Sequence, residues 1–271
     1  MHGTMIDLEI LRAGPPEGIA VRPNPLVFLH GAFAGAWCWA EHFLAYFAMR
    51  GYRVYAPSFR GHGGSGGRRD LNRFGISDYV ADLALVIEDL DGPPVLIGNS
   101  MGGFVAMKYA EQNELAGLVL MASVPPAGLS GPSMSLAVWN PILMAQIGMV
   151  QAGRPDAMTS EGFETALFSK NLPREMLHKY APMMGGESTL AVSEMHGMVQ
   201  VHPHRIKGRM PIQVLGGSED GLIPAAYVRS TGRLLGVNAD IVSGVGHGMM
   251  LDVKWEKVAA RVAGWLERND I

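Results

Sequence analysis

Val95-Leu96-Ile97-Gly98-Asn99-Ser100-Met101-Gly102-Gly103 reads as a strand, a sharp turn and the start of a helix. The three leading apolar residues suit a buried strand. Phe104 to Ala110 continues as a helix packed on a sheet. A serine on such a turn is a nucleophile elbow, held in a strained backbone conformation with positive φ. Strand and helix then approach so closely that the positions two before and two after the serine must be small. Gly98 and Gly102 meet that demand, and Gly103 widens the clearance. The helix starts near Met101 and turns its N-terminal amides and positive dipole end toward any negative charge forming at Ser100. The chain carries 35 glycines, so G-x-S-x-G alone would arise by chance. The flanking strand and helix make the reading specific.

A serine hydroxyl is a poor nucleophile at neutral pH. It needs a base within hydrogen-bond reach and a third group that orients the base. After an elbow of this kind the chain order is Asp or Glu, then His. Asp220 follows the strand-like Pro211–Leu215 and is the candidate acid, with Glu219 beside it as the alternative. His247, in Gly244-Val245-Gly246-His247-Gly248, follows the strand-like Ala239–Ser243 and is the candidate base. Both lie on loops at the carboxyl ends of strands, where open α/β sheets place their sites. A histidine flanked by glycines has little to pack against, which argues against a core role. The other histidines fit less well. His30 reads as structural, His42 falls on a helical pattern, and His62 sits in a glycine-rich loop. His178, His196, His202 and His204 have no serine or acid motif with them, and His2 is terminal.

The tetrahedral intermediate of acyl transfer carries a negative oxygen, which two preorganised amides stabilise. One is expected from Met101, the residue after the nucleophile. The other is expected from the loop after an early strand. Leu26–Leu29 is that strand and His30-Gly31-Ala32-Phe33 its loop, so the second donor is the amide of Ala32, or else that of Phe33.

Along the chain, strands alternate with helices. Val54–Ala56 and Leu118–Met121 read as strands. Trp39–Arg50, Ser77–Leu90 (capped by Ser77), Tyr227–Leu235 and Val253–Arg268 (capped by Asp252) read as helices. Alternation of this kind implies a mostly parallel sheet. The 271 residues are 48% hydrophobic and 17% charged, enough for a large core and against disorder. A net charge of −3 gives no reason to expect nucleic acid. The single cysteine, Cys38, excludes an internal disulfide and reads as a packed residue between two tryptophans. Met1–Ile10 has Asp7 and Glu9 and no long apolar run, so no signal peptide is expected and a cytoplasmic location is. Gly61–Gly67 lacks the Lys and helix of a phosphate loop, and His202-Pro203-His204 is a poor chelate. Neither cofactor nor metal is expected.

Together these residues resemble the α/β-hydrolase superfamily of serine hydrolases, over roughly residues 5 to 268. His30-Gly31-Ala32-Phe33-Ala34-Gly35-Ala36-Trp37-Cys38-Trp39 is similar to the signature of plant methylesterases and hydroxynitrile lyases. Gly98–Gly103 is similar to the G-x-S-M-G-G of bacterial esterases and monoacylglycerol lipases. Arg60-Gly61-His62-Gly63 with Ser65 resembles a common loop of the superfamily, although Ser58 stands where many relatives have Asp. The resemblance implies a mostly parallel eight-stranded sheet flanked by helices. It implies a core of residues 1–124 and 210–271 and a helical cap of residues 125–209, where the alternation breaks and half of the 18 methionines lie. Phe33, Met134, Trp139, Leu143, Met144, Ile147 and Met198 are the candidate pocket residues. Met134–Val150 is too short, and too broken by Asn140-Pro141, for a stable membrane insertion. The expected function is hydrolysis of a small or medium apolar carboxylic ester, a small-molecule partner, through Ser100, His247 and Asp220. The alternatives are hydroxynitrile lyase, lactonase, carbon–carbon hydrolase or cofactor-free oxidative chemistry on the same residues, or a ligand-binding receptor.

Overall fold

The computed structural model describes residues 7–271. The signal-peptide reading and His2 therefore fall partly or wholly outside the described residues. Four central segments are mostly apolar because both of their faces are covered. These are β2 (Leu26–Leu29), β4 (Val95–Asn99), β5 (Gly117–Met121) and β6 (Ile212–Gly217), buried along their whole length. With β1 (Ile10–Ala13), β3 (Val54–Pro57) and β7 (Ala239–Val242) they form one sheet in the order β1-β3-β2-β4-β5-β6-β7. Only β1 runs antiparallel. In register, Ile97 of β4 lies between Phe28 of β2 and Val119 of β5.

The expected eight strands are seven among the described residues. Between β1 and β2 the chain carries Pro15, Pro16, Pro23 and Pro25, none of which can donate to a ladder, and it forms turns instead.

Alternate residues of the strands feed two cores. On one face Phe28, Ile97 and Leu215 meet α1 (Trp37–Ala40), α2 (Phe43–Ala48) and α11 (Trp255–Arg268). On the other, Val27, Leu96 and Val214 meet α3 (Ile76–Glu88), α4 (Met101–Ala110) and α10 (Ala225–Leu235). Phe28 packs on Trp39 at 5.1 Å and on Phe47 at 5.6 Å between ring centres. Each side chain buried this way contributes roughly 1.5–3 kcal/mol relative to exposure.

Three helix boundaries differ from expectation. The helix expected over Trp39–Arg50 breaks at His42, which leaves helical geometry (φ −139°) and stacks on Trp255 at 4.2 Å. Ser77 lies inside α3 and does not cap it. Gly75 is the N-cap, and the Ile76 amide is taken by Glu194 from far along the chain. Asp252 does not cap α11. Its buried carboxylate accepts from the amides of Ser169 and Gly246 and from the Ser169 hydroxyl.

Between β5 and β6 the chain is helical. It forms α5 (Ser130–Trp139), α6 (Pro141–Gln151), α7 (Ser160–Leu167), α8 (Arg174–Tyr180), α9 (Thr189–Ser193) and a π-helical turn over Glu194–Met198. The Val201 amide donates to Pro126 O at 3.0 Å, so the stretch leaves close to where it enters. Glu111, at the end of α4, anchors its exit by accepting from the His202 amide at 2.7 Å and from Lys108. Burial disfavours that carboxylate, yet these donors outweigh it and hold Glu111 below the usual glutamate range. Ser58, where many relatives have Asp, donates to Glu9 and accepts from the Ala36 amide, so Glu9 brings a carboxylate to this loop.

Candidate active site

Ser100 follows β4 directly, at φ 52° and ψ −119°. This strained turn survives because its glycines remove every obstacle. A Cβ on Gly98 would lie 2.5 Å from the backbone of Gly102, and one on Gly102 would lie 2.3 Å from Leu29 O. The turn is then held by its neighbours: the Ser100 amide donates to Met121 O, and Ser100 O accepts from Gly103, Phe104 and Val124. Met101 is the first residue of α4, so its amide is among the first-turn donors that have no partner within the helix.

His247 and Asp220 come together as the sequence suggests. His247 Nδ1 lies 2.9 Å from Asp220 Oδ2, and both side chains are buried. The other oxygen, Asp220 Oδ1, accepts from the amides of Leu222 and Ile223 at 2.8 Å each. A carboxylate committed in this way accepts a hydrogen bond from Nδ1–H, which leaves Nε2 as the basic nitrogen. Asn99 donates to His247 O and Met121 O, tying the histidine loop to the elbow. Glu219, the alternative acid, accepts from the Lys170 amide instead.

The loop after β2 closes on the serine. A Cβ on Gly31 would lie 3.1 Å from Ser100 Cβ. Phe33, the alternative oxyanion donor, has its amide occupied by Glu187 Oε2 at 3.2 Å. Ala32 remains the donor candidate on this loop. His30 is structural: its Nε2 accepts from the Phe59 amide at 3.0 Å, and Nδ1 donates to Gly31 O. Burial, aided by nearby His62, pushes its pKa down to about 3, so it stays neutral. Burial pushes the Cys38 thiol up, which makes it inert.

Ser100, Met101, His247, Ala32 and Cys38 share one cavity of about 950 Å³. Of the expected pocket residues, Phe33, Met144 and Ile147 line it. Met134, Trp139 and Met198 do not: they are 68%, 83% and 73% exposed. Leu143 is buried, but in packing away from the cavity. The cause lies in α5 and α6, whose apolar residues run all the way round, so spacing does not say which face looks inward. Trp37, Leu136, Phe163 and Phe168, which are not among the expected pocket residues, also line the cavity. Trp37 stands in the quoted loop motif; the other three carry no motif. His196 also faces the cavity, with Nε2 3.0 Å from Ser133 Oγ. Among the described residues, no three His, Cys, Asp or Glu side chains converge as metal ligands would, and no helix is long and apolar enough to cross a membrane.

The sequence profile of the Alpha/beta hydrolase family matches residues 26–261. The chain belongs to that family. Among relatives of this alpha/beta hydrolase, a non-heme chloroperoxidase from Streptomyces lividans is 39% identical over 42% of this chain and 40% of its own length. A monoacylglycerol lipase from Mycolicibacterium smegmatis is 26% identical over 93% of this chain and 88% of its own. An esterase from Exiguobacterium antarcticum superposes with a TM-score of 0.76 at 20% identity, covering 97% of this chain and 95% of that one. At that identity the likeness shows the fold alone.

Met144→Trp tests the cavity. If the cavity takes the acyl chain of an ester, the added bulk is expected to lower kcat/KM for long-chain p-nitrophenyl esters about tenfold or more while leaving the acetate ester nearly unchanged, since about 1–3 kcal/mol is at stake in lost apolar fit. Trp139→Ala, changed at an exposed site, should leave the chain-length profile as it was. A profile altered by Trp139→Ala and not by Met144→Trp would place the acyl site elsewhere.

Proposed function

We propose that the protein is a serine hydrolase that cleaves a carboxylic ester of an apolar substrate through an acyl-enzyme. The observation that carries this reading is Ser100 on a positive-φ turn, facing the same cavity as a histidine whose Nδ1 is held by a buried aspartate.

Ser100 Oγ attacks the ester carbonyl carbon as His247 Nε2 takes its proton. Asp220 holds the imidazole tautomer and stabilises the imidazolium. The amides of Ala32 and Met101 receive the oxyanion. The alcohol departs with the proton from His247. Water, deprotonated by His247, then attacks the acyl carbon, and Ser100 leaves with the proton as the carboxylic acid is released. The helical stretch over residues 125–209 acts as a cap that supplies Met144, Ile147 and Phe163 to the acyl pocket.

The test is hydrolysis of p-nitrophenyl esters from acetate to palmitate, with active serine counted by a fluorophosphonate. A single optimum in chain length is expected. Folded protein that neither turns over these esters nor takes the label would overturn the reading, and cyanohydrins and lactones would then be the substrates to try. Relatives named haloperoxidases favour a second reading, peroxide-dependent halide oxidation. Halogenation of an activated diketone in the presence of hydrogen peroxide and bromide would support it.

A further inference from the structure

Phe33 is gripped on both sides by a stretch some 150 residues away in sequence. Its amide donates to Glu187 Oε2 at 3.2 Å across a separation of 154 residues. Its carbonyl accepts from the Gly185 amide at 2.7 Å. Phe33 needs such a grip. Its φ of 63° lies in the left-handed region, uncommon for a bulky side chain and kept only where the surroundings over-determine it.

The gripping carboxylate is itself fixed. Glu187 is wholly buried, with His62 Nε2 at 3.0 Å, the Tyr79 hydroxyl at 3.0 Å and the Ser188 amide at 2.7 Å. Three of its donors are neutral N–H or O–H groups that require an acceptor, which favours Glu187 as the anion. His62 Nδ1 faces Arg60 O at 3.2 Å, and a carbonyl only accepts. His62 Nδ1 thus carries a proton, and with Glu187 as the anion Nε2 carries one too, so the pair is imidazolium and carboxylate. Burial opposes both charges, but their mutual attraction outweighs it: His62 is held above the usual histidine range and Glu187 below the usual glutamate range. Nearby charges are already matched. Arg60 pairs with Asp78 and Asp82, and His30, 5.1 Å from the His62 ring, is neutral.

None of these groups reaches the reacting atoms, yet the loop they hold carries the Ala32 amide one residue before Phe33. We propose that Glu187, fixed by His62, is a positioning residue that sets the oxyanion loop, so that the chain between β5 and β6 aims the Ala32 amide. This rests on the ester-hydrolase reading above.

The experiment compares wild type, Glu187→Gln and His62→Gln with p-nitrophenyl butyrate, with kcat calculated per fluorophosphonate-labelled serine. A trifluoromethyl ketone, whose serine adduct places an oxyanion in the hole, is titrated alongside. Misaiming one oxyanion donor is expected to lower kcat about tenfold to hundredfold in Glu187→Gln, with KM within about threefold, and to weaken the ketone by a similar factor. His62→Gln should shift both in the same direction by less, and it decides the matter if Glu187→Gln does not fold. A purely structural role would lower Tm or the labelled fraction and leave kcat per labelled site intact. A folded variant with wild-type kcat per site and wild-type ketone affinity overturns the proposal. A wild type inert to both ester and label sinks the hydrolase reading, and this inference with it.

Discussion

Ser100→Ala is expected to lower kcat for p-nitrophenyl esters by about 10⁴-fold or more. On the proposed mechanism the loss is large because the hydroxyl supplies the bond that forms in the first step. His247 and the amides of Ala32 and Met101 are left to assist only a water. The fold should survive, since the strained turn is held by backbone bonds to Met121, Gly103, Phe104 and Val124 and not by the hydroxyl. Circular dichroism and Tm near wild type, together with lost turnover, are the expected pair of results. A variant that keeps most of its esterase activity would remove Ser100 from the nucleophile's role.

Gly98→Ala carries the largest expected effect on stability. Its new Cβ would sit 2.5 Å from the carbonyl carbon and oxygen of Gly102 and from the amide nitrogen of Gly103. Those are backbone atoms of α4, which cannot swing aside as a side chain would. Helix and strand must separate, opening the packing of Phe104 and Val105 against the sheet. A loss of about 3 kcal/mol in urea unfolding is expected, at the upper end for overpacking. Gly148→Ala is the matching control. It lies inside α6 with nothing within 4 Å of the added carbon. There alanine should raise stability by about 0.5–1 kcal/mol through helix propensity alone. Equal outcomes at the two sites would mean that α4 is not held against β4 as tightly as its geometry says.

Much of the fold was legible because its signals are local. Leu26–Leu29, Val95–Ile97 and Leu118–Met121 are short apolar runs that suit a doubly covered strand, and Gly98 and Gly102 bracket their serine at the spacing that steric contact demands. Asp220 and His247 each stand on a loop just past a strand, which makes them candidates in the sequence, and the structure brings their side chains together. The missed features are non-local. Nothing near Glu187 in Gly185-Gly186-Glu187-Ser188 announces a buried anion, since its partners His62, Tyr79 and Phe33 lie more than 100 residues away. The Ile76 amide takes its acceptor from Glu194, so local capping rules turned to Ser77 instead. Pocket residues are hard to read from sequence for a different reason. In α5 and α6 apolar side chains point in every direction, and only the surroundings distinguish Ile147, on the cavity, from Trp139, in solvent.

The bond from the Asn99 side chain to His247 O spans 148 residues, and the elbow it braces sits mid-sheet, while histidine and aspartate arrive from beyond β6 and β7. Assembly of the site must therefore wait for the last strands to join. In refolding from urea, helical signal should return ahead of catalytic turnover, because long-range strand pairing is slow. Enzyme activity then acts as a clock for the final step of folding.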